Sequence, residues 1–376
     1  MIFLALLSEP FVFSQIDFVG REIRAFVGIT VLLLLFLEKN KFRFSEILVY
    51  LILGIIILFE ATLQRSPLNN VISSYVIILI AFSLFIILKE DNLKFNLLLK
   101  LWLIFSFALS FGAITSFFVH QFSSLDADFL NLNSMDLFNP KYIYRESIFG
   151  FTINKDFGFI NLVRVCSFFK EPQFAGMFFA INMLIGLNNI KLIYRKFFFA
   201  NLLAGLLTFS YTFYLVFGVV LFLSIKNKII KIVLFIIFLG LFFMLYQFNN
   251  FRFIFDNFLN SSSFSDRLQR MVNGINVLLN ASISNLFFGH GINTFQEVNK
   301  DDLGRSISSG LLFLIYELGF LISCFILILI KFFANKDRRL ISICLVYLLV
   351  LPWCKFYISW YLIILCGLSY DKNVFK

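Results

Sequence analysis

Residues able to handle an anionic substrate gather in three segments of this chain. The first runs Asn161-Leu162-Val163-Arg164-Val165-Cys166-Ser167-Phe168-Phe169-Lys170-Glu171-Pro172-Gln173-Phe174-Ala175-Gly176. Arg164, Lys170 and Glu171 stand directly before an apolar run, where the chain starts to lose its water. Pro172 suits a first helical turn and Glu171 the cap before it, because the positive end of a helix favours a carboxylate. Capping by Glu171 and interfacial anchoring by Arg164 and Lys170 would explain the same cluster without chemistry. The second segment is Ser263-Phe264-Ser265-Asp266-Arg267-Leu268-Gln269-Arg270-Met271-Val272-Asn273-Gly274-Ile275. Its Leu268, Met271, Val272 and Ile275 recur at helical spacing, and Ser263 with Asp266 fits a capping box. An amphipathic helix over about 264–280, lying on a membrane, is expected. Arg267 and Arg270 share its polar side one turn apart, where two guanidinium groups can hold a diphosphate by bidentate contacts. Ordinary contacts to lipid headgroups are the plain alternative.

The third segment is Asn285-Leu286-Phe287-Phe288-Gly289-His290-Gly291-Ile292-Asn293-Thr294-Phe295, followed by Arg305 and then by Tyr316-Glu317-Leu318-Gly319. Gly289 and Gly291 permit a tight turn close to a ligand. A lone Gly-x-Gly is nonetheless a weak signal, and no βαβ unit surrounds it to make a dinucleotide fingerprint. His290 has three open roles: general base, diphosphate partner or ordinary loop residue. Glu317 falls inside an apolar run, where a carboxylate is costly and therefore functional by default, unless it serves a helix–helix hydrogen bond.

These segments must be positioned by elements that are mostly too apolar for water. The chain has 376 residues, 60% of them hydrophobic, and a mean hydropathy of +0.90. A soluble domain is nearer ~45–50% apolar, so this chain needs lipid as solvent. Its 56 Phe residues fit codon bias in an AT-rich genome and carry no functional reading. The net charge of +10 is spread in small groups between apolar runs. A nucleic-acid partner would want a contiguous basic stripe or helix face, so none is expected. Cys166, Cys324, Cys344, Cys354 and Cys366 sit mostly inside apolar segments, with no Cys-x-x-Cys pair and no neighbouring His, which implies neither zinc nor a disulfide framework. Residues 1–13 lack the basic start and small-residue cleavage site of a signal peptide and read as part of a retained first span.

Apolar runs of about 17–25 residues cross a bilayer. They fall near 2–19, 23–37, 46–63, 71–88, 96–118, 172–188, 197–209, 211–225, 229–248, 307–333, 340–352 and 354–370. The expected fold is therefore all-α, a polytopic transmembrane helical bundle of about 11–12 spans in one membrane domain over 1–376. Thr208-Phe209-Ser210-Tyr211-Thr212 breaks the run 197–225 into a tight hairpin whose tip can satisfy backbone groups through hydroxyls. Lys39/Lys41/Arg43, Lys89/Lys94, Lys191/Arg195/Lys196, Lys226/Lys228/Lys231 and Lys331/Lys336/Arg338/Arg339 occupy every second short connection. By the positive-inside rule these are cytoplasmic, which puts both termini inside and the long polar segments, about 119–171 and 249–306, together on the outer face. Loops longer than ~12–15 residues are usually functional or disordered, and both of these contain Gly, Arg and aromatic residues rather than low-complexity linker.

Taken in order, these features resemble the O-antigen polymerase and O-antigen ligase superfamily, integral membrane transferases acting on undecaprenyl-diphosphate-linked glycans. Four pieces carry the resemblance: the helix entrance from Arg164 to Glu171-Pro172-Gln173-Phe174-Ala175, the helix end Leu207-Thr208-Phe209-Ser210, the segment from Ser265 and Arg267 to Gly289-His290-Gly291, and Tyr316-Glu317-Leu318-Gly319. Two departures count. Ser308 and Ser309 stand where the ligase branch has a His, which favours a polymerase, and Tyr211 stands where the family often has Arg after the helix-end Ser.

The resemblance implies a GT-C-like bundle in the bacterial cytoplasmic membrane that works at its outer face without a metal or other cofactor. Its substrates would be an undecaprenyl-diphosphate-linked glycan donor and acceptor, with membrane lipids and a chain-length regulator as further partners. The departing lipid diphosphate develops charge that fixed cations must stabilise, for which Arg164, Arg267, Arg270, Arg305 and Lys170 are available. The acceptor hydroxyl needs a base or an orienting group, with Glu171 the first choice and His290 the second. A lipid-linked oligosaccharide flippase is the main rival, but carriers usually place ionisable groups at mid-span and show repeated halves. A non-catalytic scaffold would tolerate loss of the arginines, and a cell-wall glycan polymerase of the rod-shape type would want a carboxylate-centred loop.

Overall fold

The computed structural model describes residues 30, 37, 44–63, 68–122, 144–147, 150–156, 161–169, 171–188, 192–233, 236–237, 262–291, 309–350, 353 and 357–372. The described residues are mostly helical. In chain order the elements are α1 (Phe44–Leu63), α2 (Leu68–Glu90), α3 (Asn92–Phe122), β1 (Tyr144–Ser147), β2 (Gly150–Asp156), β3 (Asn161–Ser167), α4 (Pro172–Asn188), α5 (Leu192–Leu207), α6 (Tyr211–Ser224), α7 (Ser262–Leu279), α8 (Ile283–Phe288), α9 (Gly310–Phe333), α10 (Arg338–Val350) and α11 (Tyr357–Lys372). Two of them, α3 and α9, are long and apolar enough to cross a membrane. Shorter apolar helices lie at Glu46–Ile56, Tyr211–Ser224 and Ile358–Asp371. The expected span 2–19, and most of 23–37 and 229–248, lie outside the described residues.

The all-α expectation needs correction. The second half of the segment 119–171 folds as a three-stranded antiparallel sheet, β1-β2-β3. Its strands are short and were hidden by their polar neighbours: Val163 and Val165 alternate with Arg164 and Cys166, a period of two that a search for long apolar runs passes over. A bulge lies between Phe151 and Thr152, which pair with Ser167 and Val165, so Cys166 is the extra residue on β3. The segment is also not loop at its start, because α3 continues to Phe122.

The chain forms two compact units, Met1–Phe217 with Ile328–Tyr347 and Trp353–Lys376, and Gly218–Leu327 with Leu348–Pro352. In the first, α4 is the central helix. It is apolar all round and buried on nearly every side, as a helix without a polar face must be. Around it Trp102 of α3 packs edge-on to Tyr361 of α11, ring centroids 4.7 Å apart, and donates its indole N–H to Asn182 Oδ1 at 2.7 Å. Asn182 in turn donates to the Phe178 carbonyl at 2.8 Å, so the buried amide is satisfied on both sides. A second polar tie joins Ser110 of α3 to Asn201 of α5 at 2.9 Å. The opposite side of α3 exposes Leu97, Leu101, Ile104, Phe111 and Phe118, an apolar stripe that recurs at helical spacing.

The sheet is fastened to the end of α3. His120 Nδ1 and Thr152 Oγ1 of β2 share a hydrogen bond of 2.7 Å, Arg145 of β1 donates to the His120 carbonyl, and Val163 N donates to Gln121 Oε1 at 3.3 Å. At the α9–α10 turn Asp337, almost fully buried, accepts from Arg339 Nε at 3.0 Å, while Arg339 also donates to Asn188 Oδ1 of α4 at 2.6 Å.

In the second unit, Val277 and Leu278 of α7 pack against Phe313 and Tyr316 of α9. The expected amphipathic helix 264–280 is α7, which runs from Ser262 to Leu279. Val272 and Ile275, on the expected apolar face, are exposed together with Leu279 and Ile283. Helix α9 is broken at Gly319, whose φ of 77° and ψ of 168° are not helical.

Candidate functional site

Two polar centres are built, one in each unit. In the first unit β3 delivers Arg164 to the turn between α5 and α6. Its guanidinium Nε donates to the Thr208 carbonyl at 3.2 Å, and Arg164 is itself buried. The turn closes on its own hydroxyl, as a hairpin tip in an apolar setting must: Thr208 Oγ1 donates to the Gly205 carbonyl at 2.6 Å and accepts from Ser210 N at 3.3 Å. The carbonyls freed at a helix end need donors, and Arg164 supplies one for Thr208.

Glu171 stands just before Pro172, the first residue of α4. Its carbonyl accepts from Phe174 N at 3.2 Å and Ala175 N at 3.3 Å, which puts it at the helix cap. Its side chain is half-buried at the positive end of α4. Between Arg164 and Glu171 in the chain lies Cys166. Burial pushes its thiol far above the ordinary range, while the charge of Arg164 pulls it down and that of Glu171 pushes it up. The thiol is therefore a neutral, fully buried core group.

The second unit places His290. The break at Gly319 removes the amides that would have capped the carbonyls of Tyr316 and Glu317 in a continuous helix. The 289–291 loop replaces them: His290 N donates to the Tyr316 carbonyl at 2.9 Å and Gly291 N to the Glu317 carbonyl at 3.1 Å. The imidazole of His290 stacks on the Tyr316 ring, centroids 4.1 Å apart and planes within 4°. Gly289 and Gly319 face each other with the same backbone conformation, φ 84° and 77°, ψ 176° and 168°, a region open essentially to Gly alone. A Cβ on either would run into the other strand of the crossing, at the Glu317 carbonyl for Gly289 and the Phe287 carbonyl for Gly319. Glu317 is fully buried within this crossing helix.

No family model, no curated protein and no solved structure matches this chain. The geometry therefore stands alone. Of the residues expected to act, Arg164 and Glu171 share the first centre, and His290 stands with Glu317 in the second. Arg267 and Arg270 lie three residues apart on α7, and their side chains are outside the described residues, as are Lys170 and Arg305 entirely. Sequence reasoning missed His120, which ties α3 to the sheet; a His at the end of an apolar run was the available signal. It also missed Tyr347 of α10, whose hydroxyl would lie 3.1 Å from a Cβ on Gly176 of α4. Nothing in its apolar surroundings marked that position.

Proposed function

We propose that this chain is a polytopic glycosyltransferase of the bacterial cytoplasmic membrane, of about 11–12 spans, that polymerises undecaprenyl-diphosphate-linked repeat units at the outer face. The observation that carries this reading is the pairing of the four sequence pieces. Arg164, from the helix-entrance piece, bonds the carbonyl of Thr208 in the helix-end piece. Gly289-His290-Gly291 bonds the carbonyls of Tyr316 and Glu317. Segments 44 and 26 residues apart are thus brought together pairwise. The exposed apolar stripe on α3 suits lipid. The exposed Val272, Ile275, Leu279 and Ile283 suit a unit whose α7 lies at the membrane surface.

In this reading the acceptor hydroxyl oxygen attacks the anomeric carbon of the donor. The anomeric C–O bond to the diphosphate breaks, and its electron pair leaves with the lipid diphosphate. Arg164, with Arg267, Arg270, Arg305 and Lys170, balances that charge. Glu171 receives the hydroxyl proton, with His290 the second candidate. A chain-length regulator would act on the polymerising complex. Reconstituted membranes carrying the protein and lipid-linked repeat units test this directly. A glycan ladder that disappears in Glu171→Gln and Arg267→Ala supports the polymerase; a normal ladder in both variants sinks the assignment of the site.

One observation favours a second reading. A break in an apolar helix beside a buried Glu is what a carrier uses to bind substrate at mid-membrane. Protected movement of the same lipid across the bilayer, with no ladder, would make the chain a lipid-linked oligosaccharide flippase.

A further inference from the structure

The basic residues around the turn from α9 to α10 are not used alike. Arg339 turns inward: it donates to Asp337 and to Asn188 Oδ1 of α4, and its guanidinium lies over the Tyr370 ring, 5.6 Å from the centroid. Lys331, Lys336 and Arg338 stay exposed. The end of α2 brings a fourth cation to the same place. Phe85 packs against Phe332 and Phe333 at the end of α9, centroids 5.0 Å and 5.2 Å apart, and Lys89 Nζ stands 5.6 Å over the Phe85 ring. The exposed carboxylates at the ends of α2 and α11, Glu90 and Asp371, are outnumbered two to one by these cations, and Asp337 is buried and taken up by Arg339. Lys336 holds φ at 69°, directly after Asn335 at 48°. Left-handed backbone suits Gly or Asn, so a Lys there keeps its charge against its conformational preference. Beside it Asn335 Nδ2 is occluded and, among the described residues, has no acceptor. An amide donor without an acceptor, amid exposed cations, calls for an anionic oxygen.

We propose that the α9–α10 turn, together with the end of α2, binds the headgroup of an anionic phospholipid. Its phosphate is held by Lys336 and Arg338, with Lys89 and Lys331 alongside and Asn335 Nδ2 donating to an oxygen. Arg338 can meet a phosphate through two parallel N–H donors, whereas the lysines act as point charges. The apolar surface next to the cations selects a lipid over a soluble phosphate. Ile328 and Phe332, 61% and 47% exposed, share one face of α9 with Lys331, so an acyl chain can lie there while the headgroup sits at the turn. A zwitterionic headgroup would carry its own cation into the cluster, so a net negative one is favoured. The inference rests on the reading of α9 as a membrane span and is independent of the transferase chemistry.

The experiment titrates phosphatidylglycerol into the detergent-purified chain and follows thermal unfolding, with phosphatidylcholine and inorganic phosphate as parallel titrants. Phosphatidylglycerol should raise the melting temperature of the wild type, and the other two should not. In Lys336→Gln/Arg338→Gln the apparent affinity for phosphatidylglycerol should fall about 5-fold per cation, about 25-fold in all. Both replaced side chains are exposed, so ligand-free melting should stay at the wild-type value. Lys336→Arg/Arg338→Lys keeps both charges and should retain most of the binding; a loss as large as in the Gln variant overturns the site. Arg195→Gln/Lys196→Gln removes the same charge from exposed positions at the start of α5 and should cost no affinity. An equal loss in that variant overturns the site, because it marks general attraction to a charged surface. So does an equal response to inorganic phosphate, or none to phosphatidylglycerol. Reconstitution separates the two readings. A chain that stays in solution beside phosphatidylcholine vesicles fails as a membrane protein, whereas one that enters them yet gives no phosphatidylglycerol response loses this site alone.

Discussion

The crossing of the 289–291 loop with α9 depends on Gly319, and replacing it by Ala should undo the crossing by an amount the geometry sets. At φ 77° and ψ 168° an L side chain is strained by about 1–3 kcal/mol. The new Cβ would also press on the Phe287 carbonyl and the Gly289 amide. The alternative state is a straightened α9. There the carbonyls of Tyr316 and Glu317 regain amides four residues on, so the two hydrogen bonds given up by His290 and Gly291 are replaced within the helix. Ala further favours that helix by about 1 kcal/mol over Gly. Strain and propensity together shift the balance by about 2–4 kcal/mol toward straightening, roughly 30- to 800-fold. Hydrogen exchange of the purified chain reads this at two amides, His290 and Gly291. Both are bonded in the wild type, and in Gly319→Ala both should exchange faster by that factor while the amides of α4 keep their rates. Unchanged protection at 290 and 291 would refute the claim that Gly319 holds the helix open. Gly289→Ala, strained in the same backbone region, should give the same pattern from the opposite side.

Arg164→Lys keeps the charge but loses the planar Nε–H that reaches the Thr208 carbonyl, so polymer formation in the reconstituted assay should fall about 10²- to 10³-fold, as when an oriented donor is removed from a transferase site. Asp337→Ala leaves Arg339 half-buried without its carboxylate and should cost about 1–3 kcal/mol, read as a lowered melting temperature. At the start of α3 the Asp91 carboxylate accepts from Lys94 N and Leu93 N, and the first of these bonds holds its pKa below the ordinary 3.8. A lowered folded value means that this stabilisation is present above pH 3.8 and is lost as pH falls through the folded value; exchange at the Leu93 and Lys94 amides should quicken in that window, and Asp91→Ala should show no such step.

Segments that carry their structure in one long apolar run were legible in the sequence. The expected runs 46–63, 71–88 and 172–188 correspond to α1, α2 and α4, and the break at Thr208-Phe209-Ser210 is a turn between two helices. What the sequence hid was structure set by contact instead of composition. The sheet escaped because its residues are neither long enough nor apolar enough to register, and its stability comes from docking on His120 and Gln121. The break in α9 escaped because Gly319 sits in an otherwise helical run, where Gly is tolerated; only the loop that donates to the freed carbonyls makes the break stable. The site divides the same way. Arg164, Glu171 and His290 announced themselves as polar residues at the margins of apolar runs, whereas Tyr347 is a polar atom inside one, and a phenol there becomes visible only when the fold leaves its hydroxyl without a partner beside Gly176. Charge at the edge of a span is written in composition, but an unmet hydrogen bond exists only after packing.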